Sequence, residues 1–260
     1  MKFLFIGDVF AKSGRKVLAD RLDKLNSIYR WDVCIANAEN AAGGKGINYN
    51  VADEIFNSGI DAITLGNHTW SRKEIFNFID SSNKIVRPSN YPKGVPGKGR
   101  LIIEKNGIKI GIINLLGRVY MEPNAECPFL TADRDISILK QQCKIIFVDF
   151  HAEATSEKIA LAQYLDGRVS AVVGTHTHVQ TADEKVLEKG TAFITDVGMT
   201  GPEEGILGVD KAVILKKFLT GLPSYFEPAE GRTCLNAVVI DIDENTGRAR
   251  SIQRIYESYN

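Results

Sequence analysis

The stretch Ala171-Val172-Val173-Gly174-Thr175-His176-Thr177-His178-Val179-Gln180 carries a short apolar run into two histidines set two positions apart. An apolar, β-branched run that halts at a glycine and a polar corner reads as a buried strand leaving the core. The same unit recurs along the chain. Phe3 to Ile6 runs into Gly7-Asp8, Val33 to Ala36 into Asn37-Ala38-Glu39-Asn40, and Ala62 to Leu65 into Gly66-Asn67-His68. Ile145 to Phe150 ends at His151, and Ile108 to Asn114 and Ala192 to Thr195 complete the set of strand-like runs. Helical patterns lie between several of them, over Gly14 to Ile28, Val51 to Ser58, Lys73 to Asp80 and Ser156 to Leu165. Alternation of this kind predicts an α/β fold.

Two hairpin signals interrupt the alternation. Lys105-Asn106-Gly107 separates Leu101-Ile102-Ile103 from Ile108 to Asn114, and Asn245-Thr246-Gly247 separates Ala237 to Ile242 from Ala249 to Ile255. Asn and Gly there supply the positive φ of a tight antiparallel turn. The expectation is therefore two packed, mixed β-sheets with helices outside. No repeat, low-complexity tract or interdomain linker divides the 260 residues, so 1–260 reads as a single domain, with Pro88 to Gly99 as one ordered loop.

Lys plus Arg equals Asp plus Glu at 32 each. A formally neutral chain has no extended basic footprint for nucleic acid or anionic lipid, although a small phosphorylated ligand still fits a locally positive site. Cys34, Cys127, Cys143 and Cys234 show no C-x-x-C spacing and read as buried free thiols in a reducing cytosol. The opening MKFLFIGDVF is too short for a signal-peptide core and no run reaches the length of a bilayer span, so a soluble, cytoplasmic protein is expected.

In open α/β sheets ligands bind beyond the carboxyl ends of the strands. The residues at those ends are Asp8, then Glu39 and Asn40, then Asn67 and His68, then His151, then His176 and His178, and they include all four histidines of the chain. Each alone has an ordinary explanation: Asp8 as a turn carboxylate, Glu39 and Asn40 as the start of the Gly43-Gly44-Lys45-Gly46 loop, a lone histidine as a hydrogen-bonded core residue. Their joint occurrence points to a metal site. Imidazole, carboxylate and carboxamide without thiolate suit iron, manganese, zinc or similar ions, and do not resemble an all-oxygen magnesium or calcium cage. There are too many donors for one open site, and a bridging carboxylate such as Glu39 would allow two ions about 3.5–4 Å apart, the arrangement that clamps a phosphoryl group.

These residues resemble the motifs of the calcineurin-like metallophosphoesterases: G-D, a bridging residue, G-N-H, a histidine after a strand, and G-H-x-H. More narrowly, GDVF, NAEN, GNHTW, VDFHAEATSEK, GTHTHVQTAD and TDVGMTGP are similar to the small bacterial YmdB-like branch, described as 2',3'-cyclic-nucleotide phosphodiesterases. The resemblance implies a four-layer sandwich of two mixed sheets flanked by helices. It departs from the broad superfamily at Phe10, which stands where a D-x-H histidine would be, with Asn40 filling the vacancy in the branch, and at Glu39, where the bridge is usually Asp. The resemblance further implies one metal held by Asp8, Glu39, Asn40 and His178 and another by Glu39, Asn67, His151 and His176, with iron or manganese fitting about equally and zinc also compatible. His68 is left over, free to serve as general acid toward the leaving oxygen while a metal-bridging hydroxide attacks phosphorus. For 2',3'-cAMP the implied product is the 3'-nucleotide.

Asp149, Glu153, Asp183 and Asp196 are candidates to orient the histidines from behind, each with an equal case for capping or solvation. The glycine loop at 43–46 is neither a Walker A nor a dinucleotide fingerprint and reads as a connection that could cover the cleft. Met199 to Gly205 reads as a turn, and Trp70 as packing at a helix start with base stacking as the alternative. Two other functions compete: a phosphomonoesterase or RNA-end nuclease using the same metals, and a regulatory protein keeping the fold as a binding platform. The oligomeric state is open, a homo-oligomer included.

Overall fold

Strand β1 (Lys2–Ile6) shows how the layers arise. Successive side chains on a strand face opposite ways, so Phe3 and Phe5 enter one apolar cluster while Leu4 and Ile6 enter another. A computed structural model describes residues 1–260. After β1 come β2 (Asp8–Val9), α1 (Ala11–Tyr29), β3 (Val33–Asn37), α2 (Tyr49–Asn57), β4 (Ala62–Thr64), β5 (Ile85–Val86), β6 (Arg100–Lys105) and β7 (Ile108–Leu116). The chain continues through α3 (Pro128–Leu139), β8 (Ile145–His151), α4 (Thr155–Leu165), β9 (Ala171–Thr175), β10 (Lys185–Val186) and β11 (Ala192–Ile194). It ends with β12 (Met199–Pro202), α5 (Lys211–Thr220), β13 (Thr233–Ile242) and β14 (Ala249–Tyr259).

Two mixed sheets result. One runs β2-β12-β13-β1-β3-β4-β5 with β14 paired to β13, and the other runs β10-β11-β9-β8-β7-β6. Strands β1, β3, β4 and β5 are parallel, as are β7, β8, β9 and β11, while the hairpins β6–β7 and β13–β14 supply antiparallel edges. Phe3, Phe5, Val33 and Ile35 meet Ile110, Ile112, Ile145 and Phe147 between the sheets, where Phe147 stacks on Phe5 at 5.4 Å. Burying one such ring contributes roughly 1.5–3 kcal/mol. Outside, Val17, Leu18, Leu22 and Leu25 of α1, with Val51 and Ile55 of α2, cover the first sheet. Ile136 and Leu139 of α3, with Leu161 and Leu165 of α4, cover the second. The expected four layers are present.

The hairpin at Asn106-Gly107 forms as expected, with φ of 53° and 76° and the pair Lys105–Ile108 closing a two-residue turn. At the second hairpin the amides of Asn245 and Thr246 donate to Asp243 and the register shifts at Asp241/Ile242, so that turn is wider. Three local expectations are corrected. Lys73 to Asp80 is not an α-helix; Lys73–Asn77 is a 3-10 turn inside a loop. Met199 to Gly205 is not simply a turn, because Met199–Pro202 pairs with both β2 and β13, gaining its hydrogen bonds from distant partners. Cys127 is only partly covered, although Cys34, Cys143 and Cys234 are buried, and all four thiols are free. Helices α3 and α5 lie outside the helical patterns read from sequence. No helix is long and apolar enough to cross a membrane.

Candidate metal centre

The parallel strands of both sheets deliver their polar exits to one seam. Asp8, Glu39, Asn40, Asn67 and His68 arrive from β1, β3 and β4 of the first sheet, and His151, His176 and His178 from β8 and β9 of the second. His176 and His178 lie just beyond β9, not on it, with left-handed φ of 107° and 65°. Non-glycine residues rarely adopt that backbone, and such conformations persist only where surrounding contacts enforce them. Here carboxylates do so: the His176 amide donates to Asp8 Oδ2 at 3.1 Å and the Thr177 amide to Asp196 Oδ2 at 3.0 Å. Asp196 is buried and also accepts from Lys158 Nζ at 2.7 Å, so a fully buried ion pair holds the loop.

The side chains form two adjoining groups. His151 Nε2 lies 2.9 Å from Glu39 Oε1, 2.9 Å from Asn67 Oδ1 and 3.0 Å from His176 Nδ1. Beside them, Asn40 Nδ2 lies 3.3 Å from Asp8 Oδ1 and 3.2 Å from His178 Nε2. The second oxygen of Glu39 accepts the His68 amide at 2.7 Å. Gly66 makes this convergence sterically feasible, since a Cβ there would stand 2.4 Å from the His151 ring and 2.5 Å from Glu39 Oε2.

The lone pairs require a positive charge. Thr175 Oγ1 donates to Asp149 Oδ1 at 2.7 Å, so it can only accept from His151 Nδ1, 2.9 Å away. With Nδ1 carrying its proton, a neutral His151 presents a bare Nε2 to the oxygens of Glu39 and Asn67 and to a nitrogen of His176. In the metal-free protein that charge is a proton. Burial opposes protonation of His151, but the Glu39 carboxylate, assisted by Asp8 and Asp149, lifts it to about 9. Burial would raise Glu39, yet His151 and the His68 amide bring it down to about 2. Burial, with the adjacent His151, pushes His176 down to about 3, leaving it neutral. A carboxylate held ionised and imidazoles with free nitrogens fit a transition-metal cation. Ligand atoms of Glu39, His151 and His176 all fall within 4.8 Å of one another.

Thr175, which sequence reading missed, links Asp149 to His151, and only its place at the end of β9 pointed toward it. Of the four acids expected behind the histidines, Asp149 acts through Thr175, Glu153 lies 3.2 Å from His176 Nε2, and Asp196 pins the loop backbone. Asp183 touches no histidine and bonds Thr181 and Thr195 instead. Trp70 stacks on Phe76 at 5.3 Å and packs beside Tyr91, in agreement with the packing role.

His68 stands at the mouth of the cluster, half-buried, its amide on Glu39 and its Nδ1 3.4 Å from Ser71 Oγ. Burial lowers its pKa against the pull of Glu39. A cleft of about 940 Å³ opens above, lined by Glu39, Asn40, His68, His176 and His178 on one side and by the glycine loop and residues 221–228 on the other. The loop at 43–46 therefore does wall the cleft.

Two stacked mixed sheets, helices on both outer faces and polar strand exits along one seam are the architecture of the metallophosphoesterases. The 5'-nucleotidase precursor of Thermus thermophilus shares the fold alone, at 13% identity and TM-score 0.58 over 98% of this chain and 54% of that one. The chain belongs to the YmdB-like protein family, whose model matches residues 4–255. A 2',3'-cyclic-nucleotide 2'-phosphodiesterase of Bacillus subtilis (strain 168) is 54% identical over 255 residues, covering 98% of this chain and 96% of the relative. The crystal structure of a hypothetical protein from Thermus thermophilus is 41% identical with TM-score 0.94, with 100% of each chain covered.

Proposed function

We propose that this protein is a two-metal phosphodiesterase that hydrolyses 2',3'-cyclic nucleotides to 3'-nucleotides. The observation that carries the reading is the convergence of acceptors on His151 Nε2, beside a cleft of nucleotide size. Asp8, Glu39, Asn40 and His178 would hold one ion and Glu39, Asn67, His151 and His176 the other. When bound, such a pair supplies a hydrolytic nucleophile near neutral pH and neutralises charge on the phosphoryl oxygens. Asp149, acting through Thr175, keeps the His151 ring in the tautomer that offers Nε2 toward Glu39, Asn67 and His176. His68 Nε2 donates its proton to the departing ribose O2', which leaves as a hydroxyl and the product as the 3'-nucleotide. His68 is the histidine with no ligand role in this scheme, and its main-chain amide is anchored on Glu39 while its Nδ1 lies 3.4 Å from Ser71 Oγ.

Iron or manganese suits the imidazole, carboxylate and carboxamide donors. The identity to the Bacillus subtilis phosphodiesterase supports the substrate class, and four free thiols accord with a reducing cytoplasm. The test is hydrolysis of 2',3'-cAMP by purified protein, with metal content measured on the same sample. About two ions per chain and chelator-sensitive release of 3'-AMP are expected. Cleavage of monoesters or RNA ends alone would remove the substrate assignment; absence of both metal and turnover would remove the enzyme.

A further inference from the structure

The cleft is asymmetric. Its inner end holds the carboxylates and imidazoles, whereas its outer wall is the segment from Gly221 to Pro228 together with Leu207 and Val209. That wall is built, not draped. The Asp210 amide donates to Glu227 O at 2.9 Å, the Ala229 amide to Gly208 O at 2.9 Å, and Val209 bridges to Pro228. Phe226 packs on the cluster of Phe10, Met199, Val209 and Ile214, and Lys217 Nζ stands 4.8 Å from its ring centroid. Its neighbour Tyr225 lines the same cleft but is 85% exposed, and it has no aromatic partner and no hydrogen bond from its hydroxyl. A large ring held out on an anchored backbone, at the open end of a polar cleft, is apolar surface placed for a ligand.

We propose that the outer cleft is a nucleoside subsite in which Tyr225 is the stacking surface for the base. The inference rests on the cyclic-nucleotide reading above and deepens it. With the cyclic phosphate at the inner cluster, the ribose fused to it leads outward, and the attached base reaches the wall that carries Tyr225. Stacking is tolerant of base identity because every base has a π-face. The polar side chains of the outer wall are Ser224, Glu227 and Lys217, beside the ring of Tyr225. Stacking on Tyr225 therefore gives the site affinity for nucleosides of any base, and purines, with more surface to stack, bind better than pyrimidines.

The experiment compares wild type, Tyr225→Ala and Tyr225→Phe on 2',3'-cAMP and 2',3'-cUMP, with 3'-AMP binding measured by calorimetry on the same metal-loaded proteins. Tyr225→Ala is expected to raise KM for 2',3'-cAMP roughly tenfold with kcat little changed, and to weaken 3'-AMP binding by a similar factor. A smaller rise is expected with 2',3'-cUMP. Tyr225→Phe should restore wild-type values, because the ring and not the hydroxyl is used. Melting temperature and oligomeric mass should not move, since the ring is exposed; a fall in mass with Tyr225→Ala would reassign the residue to a contact between copies and overturn the proposal. Unchanged KM and unchanged 3'-AMP affinity would overturn it while leaving the cyclic-nucleotide reading intact. If the wild type turns over no cyclic nucleotide yet Tyr225→Ala still weakens 3'-AMP binding, the reading of the reaction fails and the stacking surface stands.

Discussion

Removing one hydroxyl that touches no metal should weaken metal binding. Thr175→Val keeps the shape of the side chain but deletes the atom that accepts from His151 Nδ1 at 2.9 Å and donates to Asp149 Oδ1 at 2.7 Å. The neutral imidazole then loses the partner that holds its proton on Nδ1, so the tautomer protonated on Nε2 competes with metal and the ring is freer to turn. Disruption of such supporting contacts typically lowers metal affinity roughly 10–100-fold, about 1.4–2.7 kcal/mol. Asp149 retains the Asn37 amide at 3.0 Å, which limits the accompanying loss of fold stability. The assay is competition for manganese between the protein and a chelating dye, run on wild type, Thr175→Val and Thr175→Ser. Serine keeps the hydroxyl and should bind within a few-fold of wild type. Wild-type affinity in the valine variant would refute the reasoning, since packing alone would then be fixing the ring.

His68→Ala should retain metal and lose about 10²–10⁴-fold in kcat toward 2',3'-cAMP, the usual contribution of a positioned acid; full activity would remove His68 from the reaction. Gly66→Ala places a methyl 2.4 Å from the His151 ring and 2.5 Å from Glu39, so it should abolish tight metal binding, as read by metal analysis after gel filtration. In the metal-free protein His151 titrates near 9 against an ordinary 6.5. Because the folded value is raised, the stability from this proton is complete below about pH 6.5 and is lost as pH climbs through about 9. Metal uptake must displace the same proton, so affinity should rise up to about tenfold per pH unit from about 7 to 9, and the melting-temperature gap between loaded and metal-free protein should widen over that range. A gap that is flat or narrowing would contradict this.

Much of the arrangement was legible because strand exits are locally marked. An apolar run that stops at Gly7-Asp8 or Gly66-Asn67-His68 announces both the strand and the polar group beyond it, and the structure brings those groups together. What escaped depends on partners far away in sequence. Strand β12 has the glycine and proline of a turn, and its pairing comes from Asp8-Val9 and Thr233-Cys234. Thr175 looks like an ordinary strand threonine until Asp149 and His151 flank it across the adjacent strand. The left-handed backbone of His176 and His178 depends on Asp8 and Asp196, neither of them near in sequence. Helix α3 had a readable start in Pro128 at its first turn. The spacing of Lys73 to Asp80 suited a helix, yet the segment winds as a short 3-10 turn whose Phe76 stacks on Trp70.

The seam itself has one more consequence. Asp8, Glu39, Asn40 and Asn67 belong to one sheet and the three clustered histidines to the other, so anything bound among them is a rivet through both. Neither sheet alone holds all the donors of the proposed centre. Affinity for the occupant then becomes a gauge of how well the two halves are seated, and a flaw in the distant stack of Phe147 on Phe3 and Phe5 would register as a looser grip at the seam without altering a single residue there.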